Sequence, residues 1–194
     1  GLAHAFIKTD PALANPDVQF FFMHASYANA ADRTLDREPG MTIGVTQLRP
    51  RSVGSIHVKS SDPLDMPAIR PNFLSADEDA ACLIEGMKAA RVIMTQKAME
   101  PYCKYEMAPG PAVVSQADWL DFARSNGQTI YHPVGTCKMG VGPDAVVDPT
   151  LKVHGLGGVR IVDASVMPQI VSANTEAAVL MIAEKGADLI LADA

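Results

Sequence analysis

The alternation of apolar and polar positions predicts strands in the first part of the chain. Val18–His24 follows the turn signal Asn15-Pro16-Asp17 and carries three consecutive phenylalanines, a combination typical of a strand. Met41–Leu48 and Gly54–Lys59 alternate partly, as strands of a half-covered sheet do. Because Pro50-Arg51-Ser52 stands between these two runs, we expect them to form a hairpin.

Two further stretches connect or border these strands. Tyr27–Gly40 is polar and ends in Pro-Gly, which predicts an exposed loop. Ala68–Asn72 is interrupted by Pro71, so we expect a short extended piece at a sheet edge.

Helical periodicity appears in three places. Ser75 with Glu78 fits a capping box, and apolar residues then recur at 4-3-4 spacing: Leu83, Met87, Ala90 and Met94. Ser115 with Asp118 opens a second amphipathic helix that ends at Asn126-Gly127. Thr175–Leu191 predicts a final apolar helix. The pattern predicts an α+β fold, an antiparallel sheet covered by helices on one face.

The last third of the chain has a different character. Tyr131–Pro149 is rich in glycine, proline and polar residues without periodicity, and loops of that length are usually functional or disordered. Val159–Val162 reads as a short strand that Asp163-Ala164-Ser165 ends. We expect a first domain at residues 1–128 and a second segment at residues 129–194.

Composition narrows the class of protein. The 194 residues carry a net charge of −6, and scattered basic residues argue against a nucleic-acid partner. The longest apolar run, Ala177–Ala183, is far shorter than the roughly 20 residues that span a bilayer. Three widely spaced cysteines favour a reducing, cytoplasmic location. Since Gly1-Leu2-Ala3 opens the chain without a leader, we expect a piece of a longer polypeptide.

The sequence contains a glycine pattern like that of dinucleotide-binding proteins and a set of possible metal ligands, but the surrounding residues argue against both kinds of site. Gly140–Ala145 fits G-x-G-x-x-A, but no strand precedes it and Asp148-Pro149 leaves no room for a helix, so a dinucleotide fingerprint is not expected. The spacing of His132, Cys137 and His154 matches no metal-ligand template, and we expect no metal site.

Two polar residues remain open to more than one interpretation. His132 precedes a proline in a loop of backbone-fixing residues, and an imidazole there can take a proton from a substrate hydroxyl or be purely structural. Asn174 precedes the last helix, where it can act as an N-cap or help to hold a ligand at the helix N-terminus.

Several motifs, in order along nearly the whole chain, resemble the glucose-methanol-choline (GMC) flavoprotein family. They are Gln47–Gly54 followed by Asp62-Pro63, Tyr131–Gly140, Val147–Pro149 followed by Val153–Gly155, Arg160–Pro168, and Ala183-Glu184-Lys185. Within the family, the chain is most similar to choline and aliphatic-alcohol dehydrogenases.

The resemblance implies a bound FAD and oxidation of an alcohol to an aldehyde or ketone. By position, His132 matches the family's active-site base, and Asn174 its second active-site residue. Asp163 and Ala164 match the segment that touches FAD, and Thr175 heads the helix whose N-terminus faces the flavin. The chain departs from the family around Asn174, where Ala173, Glu176 and Ala178 stand in place of glycine, asparagine and proline.

The resemblance also implies partners. Residues 1–128 match the substrate domain, and residues 129–194 match the active-site loop and the C-terminal strand-helix segment of the FAD domain. The N-terminal part that holds the FAD phosphates has no counterpart here, so we expect the chain alone to be incomplete and inactive. Its partners would be that part and an alcohol substrate, and any association with a membrane would come through the parent protein. A non-catalytic fragment or scaffold and a hydroxynitrile lyase-like member are the alternatives.

Overall fold

A three-stranded antiparallel sheet organises the first part of the chain in the computed structural model, which describes residues 2–29, 32 and 34–193. Its order is β1 (Ala3–Ile7), β2 (Val18–Met23) and β5 (Thr42–Gln47), so the predicted phenylalanine strand lies in the centre. Phe20 is paired with Ala5 on one side and Val45 on the other. The mixed fold class of helices and antiparallel strands is as expected. The sequence analysis predicted no strand at β1.

Helix α1 (Asp77–Met94) packs on β2 and β5 and covers one face of this sheet. The contact is close because a glycine lies in it: a Cβ at Gly86 would stand 2.8 Å from Val45 Cγ1 and 3.1 Å from Val18 Cγ1. Val18, Phe20 and Ala90 are the buried residues of the core that results. Phe20 is therefore a core residue.

The predicted hairpin between Met41–Leu48 and Gly54–Lys59 is wrong. β5 pairs with β2, and β6 (Ser55–His57) pairs with β7 (Ala68–Arg70). The intervening residues do not turn back, because the backbone N–H groups of Arg51 and Ser52 donate to a side chain of α1. After them the chain runs against β7: a Cβ at Gly54 would stand 2.3 Å from the carbonyl oxygen of Arg70.

The polar stretch Tyr27–Gly40 contains more structure than the expected loop. β3 (Tyr27–Asn29) and β4 (Thr34–Leu35) pair there with an irregular register. Residues 30, 31 and 33 of this stretch lie outside the described residues.

The two predicted capping boxes have opposite outcomes. Ser115 accepts from the backbone of Asp118 while the Asp118 carboxylate accepts from the backbone of Ser115, so α2 (Gln116–Asn126) begins as expected. At α1 the N-cap residue is Ala76, without a side-chain cap bond. The expected box fails because Ser52 Oγ, from another segment, accepts from the N–H groups at residues 75 and 76.

Helix α2 is held against α1 by aromatic and charged groups. Trp119 of α2 is buried, and the guanidinium of Arg91 lies 4.2 Å from the centre of its ring. Arg91 also binds Glu106 Oε1 at 2.8 Å and the carbonyl oxygen of Val113 at 2.8 Å. The guanidinium thus joins α1, α2 and the loop before α2.

The chain forms two compact units, which are not two continuous halves. The first contains residues up to Ser52 and Phe73–Ile130; the second contains Val53–Asn72 and everything from Tyr131 onward. The β6–β7 pair therefore groups with the last third of the chain, whereas the expected boundary at residue 128 placed it with the first domain.

The second unit has its own core. Its buried members are Val147, Leu151, Val166, Met167 and Ile182. Helix α3 (Glu176–Ala192) packs tightly here, since a Cβ at Gly186 would stand 2.3 Å from Val162 Cγ1.

The strand expected at Val159–Val162 is wrong. Residues 159–161 make two backbone hydrogen bonds with residues 151–153 and form an isolated bridge at Arg160. The partner segment bends at Leu151, whose φ is +67°, so a longer ladder cannot form. In the described part of the chain, no helix has the length and apolar character needed to cross a membrane.

Candidate active site

The loop that carries His132 is fixed by its backbone. Tyr131, just before the histidine, has a φ of +62°, and Gly135 has a φ of +83°. Further along, Cys137 N donates to Ser165 O at 3.0 Å and Met139 N donates to Val166 O at 2.8 Å. These bonds hold the loop against the turn that contains Asp163 and Ala164.

The imidazole of His132 is half-buried and incompletely satisfied. Its Nδ1 atom is buried and has no hydrogen-bond partner among the described residues. Buried polar atoms are nearly always paired, so an unpaired one requires an explanation. A neutral imidazole offers one N–H donor and one acceptor nitrogen, and it can therefore bind and exchange a proton with an external group.

Asp163 and Ala164 stand at a short 3₁₀ turn, Ala164–Val166. The carboxylate of Asp163 is exposed, and its Oδ1 accepts from Ser165 N at 2.7 Å as the N-cap of this turn. Ala164 is half-buried and packs against the core of the second unit. The turn is thereby anchored on its inner side, while Asp163 is exposed.

The N-terminus of α3 carries the remaining predicted site residues. The N-cap is Thr175, whose side chain is buried and makes no cap bond. Asn174 is exposed, and its amide makes no hydrogen bond with the described residues, so the N-cap interpretation of Asn174 is wrong. No side-chain cap bond therefore satisfies the first N–H groups of α3 in the part of the chain that the structure describes. Glu176 adds a negative charge in this first turn.

All five predicted site residues lie in the second unit. Backbone hydrogen bonds join the His132 loop to the 3₁₀ turn, and α3 contacts the same turn. Within the described residues, no hydrogen bond links the side chains of His132, Asp163 and Asn174 to one another. The structure brings the His132 loop, the 3₁₀ turn and the start of α3 together in one unit.

The Gly140–Ala145 segment lies in an open groove of about 470 Å³ beside this loop. It forms a turn closed by Ala145 N and Gly142 O, with no helix after it, so it lacks the geometry of a dinucleotide fingerprint. Lys138 forms an ion pair with Asp144 across it. In the described ranges, no group of three or more His, Cys, Asp or Glu side chains could hold a metal ion.

Two residues of structural importance escaped the sequence reasoning. Tyr131 was recognised as a neighbour of the histidine, but an aromatic residue gives no signal of a left-handed backbone. Asp79 was not singled out at all. It is buried and accepts from Gln47 Nε2, Arg51 N, Ser52 N and Ser52 Oγ at 2.5 to 2.8 Å. Asp79 lies on the inner face of α1, seven residues before Gly86, and this position was the signal in the sequence that the carboxylate would be buried.

Asp79 fixes residues 51 and 52 against α1. Burial acts to raise the pKa of this carboxyl, but the hydrogen bonds from Ser52, Arg51 and Gln47 together outweigh it and hold the pKa below the ordinary value. Asp79 therefore stays ionised at neutral pH. It belongs to the first unit and serves its architecture.

A family model described as GMC oxidoreductase matches residues 50–183. The chain belongs to the GMC oxidoreductase family. Among curated proteins it is 44% identical over 186 residues to an alcohol dehydrogenase [acceptor] of Pseudomonas putida, covering 96% of this chain and 34% of that protein. It is 39% identical over 188 residues to an oxygen-dependent choline dehydrogenase of Staphylococcus aureus, covering 95% of this chain and 33% of that one.

Solved structures agree with this membership. Pyridoxine 4-oxidase from Mesorbium loti superposes with a TM-score of 0.85 at 28% identity, over 95% of this chain and 36% of that one. A formate oxidase from Aspergillus oryzae, in a structure concerned with FAD modification, gives 0.83 at 29% identity, over 93% and 32%. The chain spans about a third of the length of these relatives.

Proposed function

We propose that this chain supplies the C-terminal part of an FAD-dependent GMC oxidoreductase that oxidises an alcohol to an aldehyde or ketone. The relatives named as alcohol and choline dehydrogenases support this class of reaction. The observation that carries the proposal is the buried, unpaired Nδ1 of His132, in a loop that backbone hydrogen bonds hold on the 3₁₀ turn just after the histidine.

The residues of the second unit fit a flavin cofactor. Among the described residues, no side-chain cap bond satisfies the N–H groups at the start of α3, and such groups together with the helix dipole favour a negatively charged ligand. Asp163 and Ala164 lie on an anchored turn beside the His132 loop and would hold the cofactor there together with Thr175. FAD, when bound, supplies the acceptor for the hydride that leaves the alcohol carbon.

The chain's own residues would handle the proton and the oxygen. His132 takes the hydroxyl proton at whichever ring nitrogen is unprotonated, and general-base catalysis of this kind contributes about 10²- to 10⁴-fold in rate. The exposed amide of Asn174 donates a hydrogen bond to the substrate oxygen and orients it. Glu176, in the first turn of α3, opposes negative charge near that helix end and favours a cationic substrate.

The surface of α3 supports a partner. Leu180, Met181, Ile190 and Leu191 are 59%, 60%, 49% and 74% exposed, and exposed groups of large apolar side chains mark interaction surfaces. We therefore propose that the FAD-binding part of the same protein covers this helix and completes the cofactor site.

The test uses His132→Ala in the complete, flavin-loaded protein, with His154→Ala as the matched control. His154 is exposed and lies in another loop of the same unit, bound to the carbonyl oxygen of Gly140. We expect His132→Ala to lower kcat at least 100-fold while the flavin spectrum shows retained cofactor, and His154→Ala to remain near the native rate.

The readout is anaerobic bleaching of the flavin absorbance by a series of alcohols, followed by steady-state turnover. Unchanged turnover in His132→Ala would reject the role of this histidine. Turnover of a cyanohydrin without bleaching by any alcohol would reject the oxidation itself in favour of lyase chemistry.

A further inference from the structure

The backbone at Tyr131 is in a conformation that its side chain disfavours. Its φ of +62° lies in the left-handed region, which is costly for a bulky residue. Residues held in such conformations persist only where their surroundings impose them, and they cluster at functional sites. The next residue in the chain is His132.

Burial of the side chain does not account for this conformation. Tyr131 as a residue is 62% exposed. Leu151 makes a useful comparison, because its φ of +67° accompanies a side chain that is 4% exposed in the core of the second unit. Packing of the side chain in the core explains the left-handed backbone at Leu151. At Tyr131 the effect of the left-handed backbone is to change the direction of the chain just before His132.

The chain on the other side of His132 is already restricted. Pro133 disfavours the helical region for the histidine and leaves it extended. Beyond it, the bonds from Cys137 N to Ser165 O and from Met139 N to Val166 O fix the loop on the 3₁₀ turn. Tyr131 is thus the residue at which the chain must turn to present the imidazole, with Nδ1 buried, while its own ring faces outward.

We propose that the left-handed backbone of Tyr131, and not its phenol ring, positions His132 for proton transfer. Tyr131 is a positioning residue that acts through the histidine. This inference rests on the proposed function, because it gives a role in that reaction to the residue before the base.

The experiment compares side chains that differ in their tolerance of a positive φ, in the complete flavin-loaded protein. Tyr131→Gly and Tyr131→Ala both remove the ring but differ by one Cβ, which makes the left-handed region unfavourable for alanine. Tyr131→Val makes it still less favourable. Tyr105→Val is the matched control, since Tyr105 is 71% exposed in the first unit and has no positive φ.

We expect kcat of the glycine variant to exceed that of the alanine variant at least threefold and that of the valine variant at least tenfold, with KM values within threefold. Tyr105→Val is expected to keep the native kcat. If Tyr131→Val fails to fold, the comparison of kcat between the glycine and alanine variants still tests the proposal. Equal kcat values in that pair would overturn the proposal and assign any loss to the ring.

A second readout needs no flavin. The rate at which diethyl pyrocarbonate modifies His132 is measured in the tryptic peptide of residues 125–138, where it is the only histidine. We expect the rate to rise at least threefold in the alanine variant relative to the glycine variant, with His154 unchanged. Equal rates would overturn the proposal. Loss of turnover in His132→Ala, together with equal rates here, would leave the proposed function standing and remove only the role of Tyr131.

Discussion

Replacing Asp79 with alanine tests whether one buried carboxylate holds the first unit together. The side chain is 1% exposed and accepts four hydrogen bonds, two from the backbone of residues 51 and 52 and two from the side chains of Gln47 and Ser52. Alanine leaves all four donors without this acceptor.

The expected loss of free energy of unfolding depends on how many of the four donors water can reach after the substitution. A buried donor left unsatisfied costs about 1 to 3 kcal/mol, and such costs do not add fully. Arg51 is exposed and Ser52 and Gln47 are half-buried, so water replaces part of the loss. We expect the free energy of unfolding to fall by about 3 kcal/mol. With a urea dependence of about 2 kcal/mol per M, the midpoint falls by about 1.5 M.

Trp119 provides the assay, because it is the only tryptophan and is buried in the same unit. Its fluorescence is followed through urea unfolding of the native chain, of Asp79→Ala and of Asp77→Ala. Asp77 lies on the same helix and carries the same charge but is exposed, so its removal costs about 0.3 to 1 kcal/mol through the helix dipole.

The pH dependence has a defined sign. The pKa of Asp79 is lowered in the folded state, so its ionisation stabilises the fold above the ordinary value of 3.8, and this contribution is lost as the pH falls through the lower folded-state value. Asp79→Ala lacks that loss. If Asp79→Ala shifts the Trp119 transition no more than Asp77→Ala does, the carboxylate does not hold residues 51 and 52 as described.

Two further predictions concern the packing of each unit. Burial and the neighbouring Asp17 carboxylate raise the pKa of Cys82 to about 12, so iodoacetamide at pH 8 should leave Cys82 unmodified in the folded chain. Asp17→Asn should speed the alkylation of Cys82 severalfold, as measured by peptide mass spectrometry. Equal rates in the two proteins would contradict this. Gly186→Ala should destabilise α3 by about 1 to 3 kcal/mol despite the better helix propensity of alanine, because the new Cβ meets Val162. Faster amide exchange in α3, reversed by adding Val162→Ala, is the expected measurement, and unchanged exchange would refute it.

The elements that sequence predicted correctly are those whose determinants are local. The capping box of Ser115 and Asp118 spans four residues, and both of its bonds form. The same pattern at Ser75 and Glu78 failed because Ser52, more than twenty residues earlier, accepts from the N–H of Ser75, which the side chain of Glu78 would have satisfied in the box. A local sequence pattern cannot show whether a residue from a distant part of the chain will accept the same hydrogen bond.

Strand pairing shows the same limitation. Thr42–Gln47 and Ser55–His57 were recognised as extended segments, but their partners depend on where Asp79 holds the residues between them. At the candidate site, the motif around His132 identified the family, whereas the left-handed turn at Tyr131 has no signature in an aromatic residue. The roles of His132 and Asn174 are predictions, and the His132→Ala variant tests the first of them.

The glycine at the contact between α1 and the sheet links two parts of the first unit mechanically. Gly86 and Asp79 lie seven residues, or about 10 Å, apart on the same side of one stiff helix. A larger residue at Gly86 would push α1 off the sheet, and because the helix moves as a rigid rod, Asp79 would move with it and draw away from residues 51 and 52. Within the first unit, the hold of Asp79 on residues 51 and 52 therefore depends on the absence of a single methyl group at Gly86.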